Sequence, residues 1–139
     1  MEREIVIDAK NANLGRLASY VAKQTLLGKN VVIINAEEAI VLGNRKNILE
    51  RYRRKFSRGG SSLKGPKIPK NPERILKRTI RGMLSHKQRR GSDALKRVFC
   101  YNGVPEKYEK SKRIIAGKIK KAKFLTLKEI VKELKGGLE

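Results

Sequence analysis

Between Ile5 and Asn35 the hydrophobic period of the chain switches twice, and this switch constrains the fold more than any other feature. Ile5-Val6-Ile7 reads as a short strand that ends at Asp8. Leu14, Leu17, Ala18, Val21, Ala22 and Thr25 then recur at the spacing of one helix face, with Asn13 placed to cap its start and Gly28 to end it. Val31 to Asn35 follows as a second strand, apolar through Ile34, as expected of a strand buried on both faces. Strand, helix and strand in this order make a βαβ unit, whose crossover is right-handed and whose strands are parallel. The chain is therefore expected to be an α/β protein.

Ala39 to Leu42 reads as a third strand, but the gap after Asn35 is too short for a helical crossover, so its orientation stays open. Gly43-Asn44 opens a second helix that runs to about Arg58, with Ile48, Tyr52 and Phe56 on one face and Gly59-Gly60 as its stop. In the loop Leu63 to Pro72, lysines at 64, 67 and 70 and prolines at 66, 69 and 72 share a period of three, that of a polyproline II helix, which puts the lysines on one edge. Pro72 and Glu73 begin a third helix, with Leu76, Ile80, Met83 and Leu84 inward and Arg74, Lys77, Arg78 and Arg81 outward. A short helix is expected from Ser92, then a last strand over Val98 to Asn102, closed by Gly103-Val104-Pro105. Thr126 and Glu129 form a capping box for a final helix that carries Leu127, Ile130, Val131 and Leu134 on one face, while Lys107 to Lys123 shows no clear pattern. Residues 1–105 thus read as a single α/β domain and residues 106–139 as a basic C-terminal extension with a short helix.

Charge separates the core from the working surface. The chain has 35 Lys plus Arg against 13 Asp plus Glu, a formal net charge of +22 in 139 residues. Residues 1–44 hold 5 basic and 5 acidic residues, residues 45–90 hold 17 and 2, and residues 91–139 hold 13 and 6, for net charges of 0, +15 and +7. A solvated helix face mixes both signs, and the middle third does not. A compact domain so charged repels itself unless a polyanion neutralises it, so nucleic acid is the expected partner. The candidate contacts are Arg51, Arg53, Arg54, Lys55 and Arg58 on the second helix, Lys64, Lys67 and Lys70 in the loop, Arg74, Arg78 and Arg81 on the third helix, and the basic loop His86, Lys87, Arg89 and Arg90. Arg45 and Lys46 join them, because cations in a first helical turn oppose the helix dipole unless an anion docks there.

No Cys/His finger, heptad zipper or RNP-type aromatic signature is present, and the aromatic residues, 4 Tyr and 3 Phe, are scattered. Base stacking on an aromatic platform is therefore not expected. Phosphate contact at many points by rigid helices and extended loops suits a large folded RNA, although composition alone leaves DNA, and a DNA-packaging role, open.

A rival reading uses carboxylates. Asp8 ends the first strand and Glu37 and Glu38 follow the second, at the strand ends where open parallel sheets bind ligands, so the three would hold Mg²⁺ in a phosphoryl-transfer or nuclease-type enzyme. The plainer alternative makes Asp8 a turn cap and the glutamates partners of nearby cations. It is favoured because the chain has neither a Walker A loop nor a G-x-G-x-x-G run; Gly15 reads instead as a close approach of helix to strand. His86 beside Ser85 lacks the geometry of a catalytic pair and reads as RNA contact or packing. Cys100, the only cysteine, reads as a small buried strand residue, and with no disulfide it fits a reducing compartment. No cofactor, metal or small-molecule substrate is expected. The longest apolar runs, Val31 to Ile34 and Ala39 to Leu42, fall far short of the roughly 20 residues of a membrane helix, and the first residues lack the design of a secretory signal, so a cytoplasmic protein is expected.

Three segments resemble a known family, the large-subunit ribosomal proteins numbered thirteen: D-A-K-N-A-N-L-G-R-L-A-S from Asp8 to Ser19, V-V-I-I-N-A-E-E-A-I-V-L-G-N from Val31 to Asn44, and I-R-G-M-L-S-H-K-Q-R-R-G from Ile80 to Gly91, running on to V-F-C-Y-N-G at Val98 to Gly103. The third is similar to the family signature of a Gly-Met-Leu turn, a basic loop with glycine, and a strand ending in glycine. The uninterrupted passage from first helix to second strand and the Leu-Ser-His-Lys wording resemble the archaeal and eukaryotic branch; Ser92 departs from the larger polar residue of the pattern. The resemblance implies a three-layer α/β/α domain on a small, mostly parallel four-stranded sheet with basic loops and a C-terminal helix. It also implies a non-catalytic ribosomal component in the cytoplasm that binds large-subunit ribosomal RNA beside neighbouring ribosomal proteins. By position it marks His86, Lys87, Arg89 and Arg90, and the helix with Arg45, Lys46, Arg53 and Arg54, as RNA contacts.

Overall fold

The computed structural model describes residues 4–57, 71–115 and 123–136. In chain order its elements are β1 (Glu4–Asp8), α1 (Leu14–Leu26), β2 (Asn30–Ile34), a 3-10 turn at Ala36–Glu38, β3 (Ile40–Leu42), α2 (Arg45–Ser57), α3 (Pro72–Gly82), α4 (Arg89–Lys96), β4 (Val98–Cys100), a second 3-10 turn at Glu106–Tyr108, β5 (Arg113–Ile115), β6 (Phe124–Thr126) and α5 (Leu127–Gly136).

The βαβ unit is present as read. β1 and β2 pair in parallel from Glu4 with Asn30 to Asp8 with Ile34, and α1 crosses between them. Asn13 caps α1, its Oδ1 accepting from the N–H groups of Gly15 at 2.9 Å and Arg16 at 3.4 Å. All six apolar-face residues, Leu14, Leu17, Ala18, Val21, Ala22 and Thr25, are buried. At the other end Gly28 takes φ +93°, and Arg97 donates from Nη1 to the Thr25 carbonyl at 2.8 Å, placing a cation where the helix dipole is negative. Gly15 corrects its reading: it is exposed, and a Cβ there would meet only Asn13 Oδ1 at 3.5 Å, so no close approach requires it.

The main sheet has the order β4-β2-β1-β5 with every pairing parallel. Its fourth strand is Arg113–Ile115, from the stretch whose sequence showed no pattern. β3 lies outside this sheet and pairs antiparallel with β6, Val41 opposite Leu125, which settles the orientation of Ala39 to Leu42. Arg113–Ile115 is too short to display a period, so only its pairing with Val6 to Asp8 defines it. Segments of the 106–139 extension thus supply an edge of the main sheet, one strand of the small sheet and α5.

Alternation along the strands sends Ile7, Val31, Ile33 and Val98 into a large core that also receives buried side chains from all five helices. Leu127, Ile130, Val131 and Leu134 of α5 join it as their spacing predicts, and the capping box forms, with the Glu129 N–H donating to Thr126 Oγ1 at 3.1 Å and the Thr126 N–H to Glu129 Oε2 at 3.3 Å. The opposite face carries Val6, Val32 and Ile34 under Tyr108 and Val104, so its outer layer is the second 3-10 turn. Met83, read as inward, is 45% exposed, because α3 ends at Gly82 and the chain turns there. The short helix begins at Arg89 instead of Ser92. Phe56's side chain and the polyproline-like loop lie outside the described residues.

Candidate nucleic-acid interface

α2 is an amphipathic helix with cations on its outer faces. Ile48 and Tyr52 are buried, whereas Arg45, Lys46, Arg51, Arg53, Arg54 and Lys55 are exposed. Arg51 lies 5.8 Å and Lys55 Nζ 5.1 Å from the centre of the Tyr52 ring, so the buried aromatic anchors two of the cations. Burial pushes the Tyr52 phenol above its ordinary value, and the adjacent Arg51 charge pulls the other way. Asn44 caps the helix by accepting from the Lys46 N–H at 3.0 Å. Arg45 is ion-paired with Glu133 of α5, and Arg54 with Glu50 one turn back at 3.0 Å. Both pairs are solvent-exposed, worth about 1 kcal/mol or less each, so a phosphate can displace them. For Arg45, a protein carboxylate already offsets the opposition to the helix dipole that suggested an outside anion.

The third helix and the basic loop form a second region. Arg74 and Arg81 are exposed and Lys77 and Arg78 half-buried, while Lys87, Arg89 and Arg90 are exposed between α3 and α4. Arg89 reaches Asp93 at 3.9 Å. His86 is half-buried with Nδ1 turned inward, without a hydrogen-bond partner among the described residues, so its ring is at least partly a packing group. The loop is tied down by backbone bonds from Gln88 N–H to the Ser85 carbonyl at 2.9 Å and from Ser92 N–H to the Gln88 carbonyl at 2.9 Å. Arg58, Lys64, Lys67 and Lys70 lie outside the described residues.

Among the described residues the two regions are set apart. α2 packs on α5 and β6, and α3 packs on α1, β4 and α5, which places α5 between the two basic helices. The loop does acquire a neighbour that sequence reasoning missed: Lys23, exposed in the last turn of α1, lines the same groove as Arg90 and Met83. The neutral balance of the first 44 residues hid it, and its position off the apolar face of α1 was the available signal.

Two carboxylates of the rival reading, Asp8 and Glu37, hold turns together, while Glu38 contributes backbone bonds there. Asp8 Oδ1 accepts from the Lys10 N–H at 3.0 Å and Asn35 Nδ2 at 3.1 Å, its Oδ2 lies 3.8 Å from Arg113, and Glu37 Oε2 accepts from the Gly103 N–H at 2.9 Å. Among the described residues no three His, Cys, Asp or Glu side chains cluster as a metal site would need. Burial pushes the Cys100 thiol up to about 12, a Lys77 charge lowering it and Glu73 raising it, so its thiolate is scarce at neutral pH.

Residues 2–107 match the family described as Ribosomal protein L13. The large ribosomal subunit protein uL13 of Archaeoglobus fulgidus is 44% identical to this chain over 135 residues, covering 93% of this chain and 86% of that protein. Proteins of the same name from Thermoplasma volcanium and Methanocaldococcus jannaschii are each 43% identical, over 94% and 93% of this chain and 98% and 96% of their own lengths. Since the family match spans most of the chain and these relatives cover more than nine-tenths of it, the chain belongs to the ribosomal protein L13 family.

Proposed function

We propose that this protein is a structural constituent of the large ribosomal subunit that binds ribosomal RNA by neutralising phosphates, supports subunit assembly and translation, and catalyses nothing. The observation that carries this reading is α2, which sets six exposed cations, Arg45, Lys46, Arg51, Arg53, Arg54 and Lys55, along one helix with Glu50 as its only acid. Such a surface gains most from a fixed array of phosphates. Arg74, Arg78, Arg81, His86, Lys87, Arg89 and Arg90 form the second contact region, and Arg58, Lys64, Lys67 and Lys70, outside the described residues, are further contacts by their charge. Residues 1–105 act as the RNA-binding domain, and residues 106–139 as an extension whose β6 and α5 pack against α2. The name shared by the relatives supports a place in the large subunit, among neighbouring ribosomal proteins in the cytoplasm. No described helix is long and apolar enough to cross a membrane.

Sedimentation tests the assignment. The protein is expected to co-migrate with large ribosomal subunits at moderate salt and to leave them as salt rises; migration with genomic DNA, or free at the top of the gradient at low salt, contradicts it.

A further inference from the structure

Among the described residues the second face of the parallel sheet is covered thinly, and Phe99, Tyr101 and Ile115 stand exposed on it. Parallel sheets ordinarily carry helices on both faces. Among the described residues all five helices feed the main core, while Val6, Val32 and Ile34 lie under Tyr108 and Val104. Phe99 stands beside Val32 in register, and the ladder continues through the Tyr101 N–H, which donates to the Ile33 carbonyl at 2.9 Å. Alternation therefore puts Phe99 and Tyr101 on the same thin face. They are 45% and 37% exposed. The Tyr101 ring is braced by that of Tyr108, 6.1 Å away and tilted by 36°. A cleft of about 230 Å³ beside the strand brings Arg74 and Lys77 of α3 to these two residues. Among the described residues the one carboxylate lining it, Glu73, is engaged by Asn102 Nδ2 at 2.6 Å.

We propose that Phe99 and Tyr101 form a base-stacking site in which unpaired nucleobases of bound RNA lie on the two rings while Arg74 and Lys77 hold the adjoining phosphates. This rests on the RNA-binding reading above and adds base contact to it. Side chains two residues apart on one strand face are separated by about 6.6 Å, room for successive bases of an extended single strand to lie one on each ring. Every base presents a π face, so the contact adds affinity without reading sequence. A stable protein partner would need about 800 Å² from this side. Two rings at a strand edge do not offer that area, and the cations beside them favour a polyanion. The site also gives the exposed rings a role, since apolar surface left in water does nothing for the folded chain.

The test titrates the full chain with transcribed large-subunit ribosomal RNA of Archaeoglobus fulgidus. Phe99→Ala and Tyr101→Ala are each expected to weaken binding about fivefold to a hundredfold at every salt concentration, leaving the slope of log affinity against log salt unchanged. Phe99→Leu keeps the apolar volume and is expected to lose affinity like the alanine variant, whereas Phe99→Trp is expected to retain it. Because the chain has no tryptophan, F99W also carries a unique fluorophore whose emission should be quenched on RNA binding. Wild-type affinity in Phe99→Leu, or unquenched F99W emission at saturating RNA, overturns the stacking site while leaving the phosphate reading standing. Quenching only when large-subunit proteins are added reassigns the face to a protein. Failure of the parent chain to bind the RNA overturns the reading on which the site rests.

Discussion

Replacing Gly91 with alanine is expected to lower the melting temperature by roughly 10 °C and to weaken RNA binding in the same protein. Gly91 is buried in the first turn of α4, and a Cβ built on it would lie 2.1 Å from the Ser85 carbonyl oxygen and 2.3 Å from the Ser85 carbonyl carbon. Those atoms are backbone, so no side-chain rotation relieves the clash. The same Ser85 carbonyl accepts from the Gln88 N–H, which means that the segment forced away from α4 is the one that folds the basic loop. A shift there displaces Lys87, Arg89 and Arg90 together. Overpacking costs about 1 to 3 kcal/mol and occasionally more; contact with rigid backbone puts this site at the upper end, and about 3 kcal/mol in a chain of this size corresponds to the stated drop. A Gly91→Ala protein that melts with the parent would show that α4 does not pack on the loop in this way.

The double charge reversal Arg53→Glu, Arg54→Glu is expected to leave the fold intact and to reduce RNA affinity by on the order of a hundredfold at 100 mM salt. The reason is the helical phase of α2. Ile48 and Tyr52 point into the core, whereas Arg53 and Arg54 are exposed. Among the contacts of Arg54, its pair with Glu50 is an exposed i,i+4 contact worth about 0.3 to 0.5 kcal/mol, and the side chain is exposed. Stability therefore changes little. If each arginine meets one phosphate, the slope of log affinity against log salt falls by about 1.4 to 1.8. Circular dichroism and a salt titration on the same preparation separate the two effects: an unfolded variant would show that α2 is rotated relative to this account, and a folded variant that binds as well as the parent would remove α2 from the interface.

How much was legible depended on how long each pattern ran. The thirteen residues of α1 give its face, cap and stop several independent signals, and Leu14 to Thr25 all went where their spacing sent them. α5 was readable for the same reason, from the reciprocal bonds of Thr126 and Glu129. The three residues of β5, Arg113-Ile114-Ile115, gain their identity only by lying beside Val6, Ile7 and Asp8, which no local window displays. β3 was visible as a strand, but its partner lies more than 80 residues away, so its sheet was not.

At the interface, charge density marked the basic segments, but it could not show that α5 stands between α2 and α3, that Lys23 joins the loop, or that Arg45 meets Glu133. The opposite failure concerns Phe99 and Tyr101. Alternation placed both on one face of a strand, and only the thin cover on that face leaves them in solvent. Gly91 belongs to the same class: the sequence displays a glycine in a basic loop, while the reason for it is a carbonyl six residues earlier.

Salt dependence of binding to large-subunit ribosomal RNA tests the central claim most directly. If the cations of α2, α3 and the basic loop neutralise about 6 to 10 phosphates, affinity is expected to fall by about 10³- to 10⁵-fold between 50 and 200 mM monovalent salt, on the scale set by duplex DNA. Binding that changes less than tenfold over that range would contradict a phosphate-neutralising role for this protein.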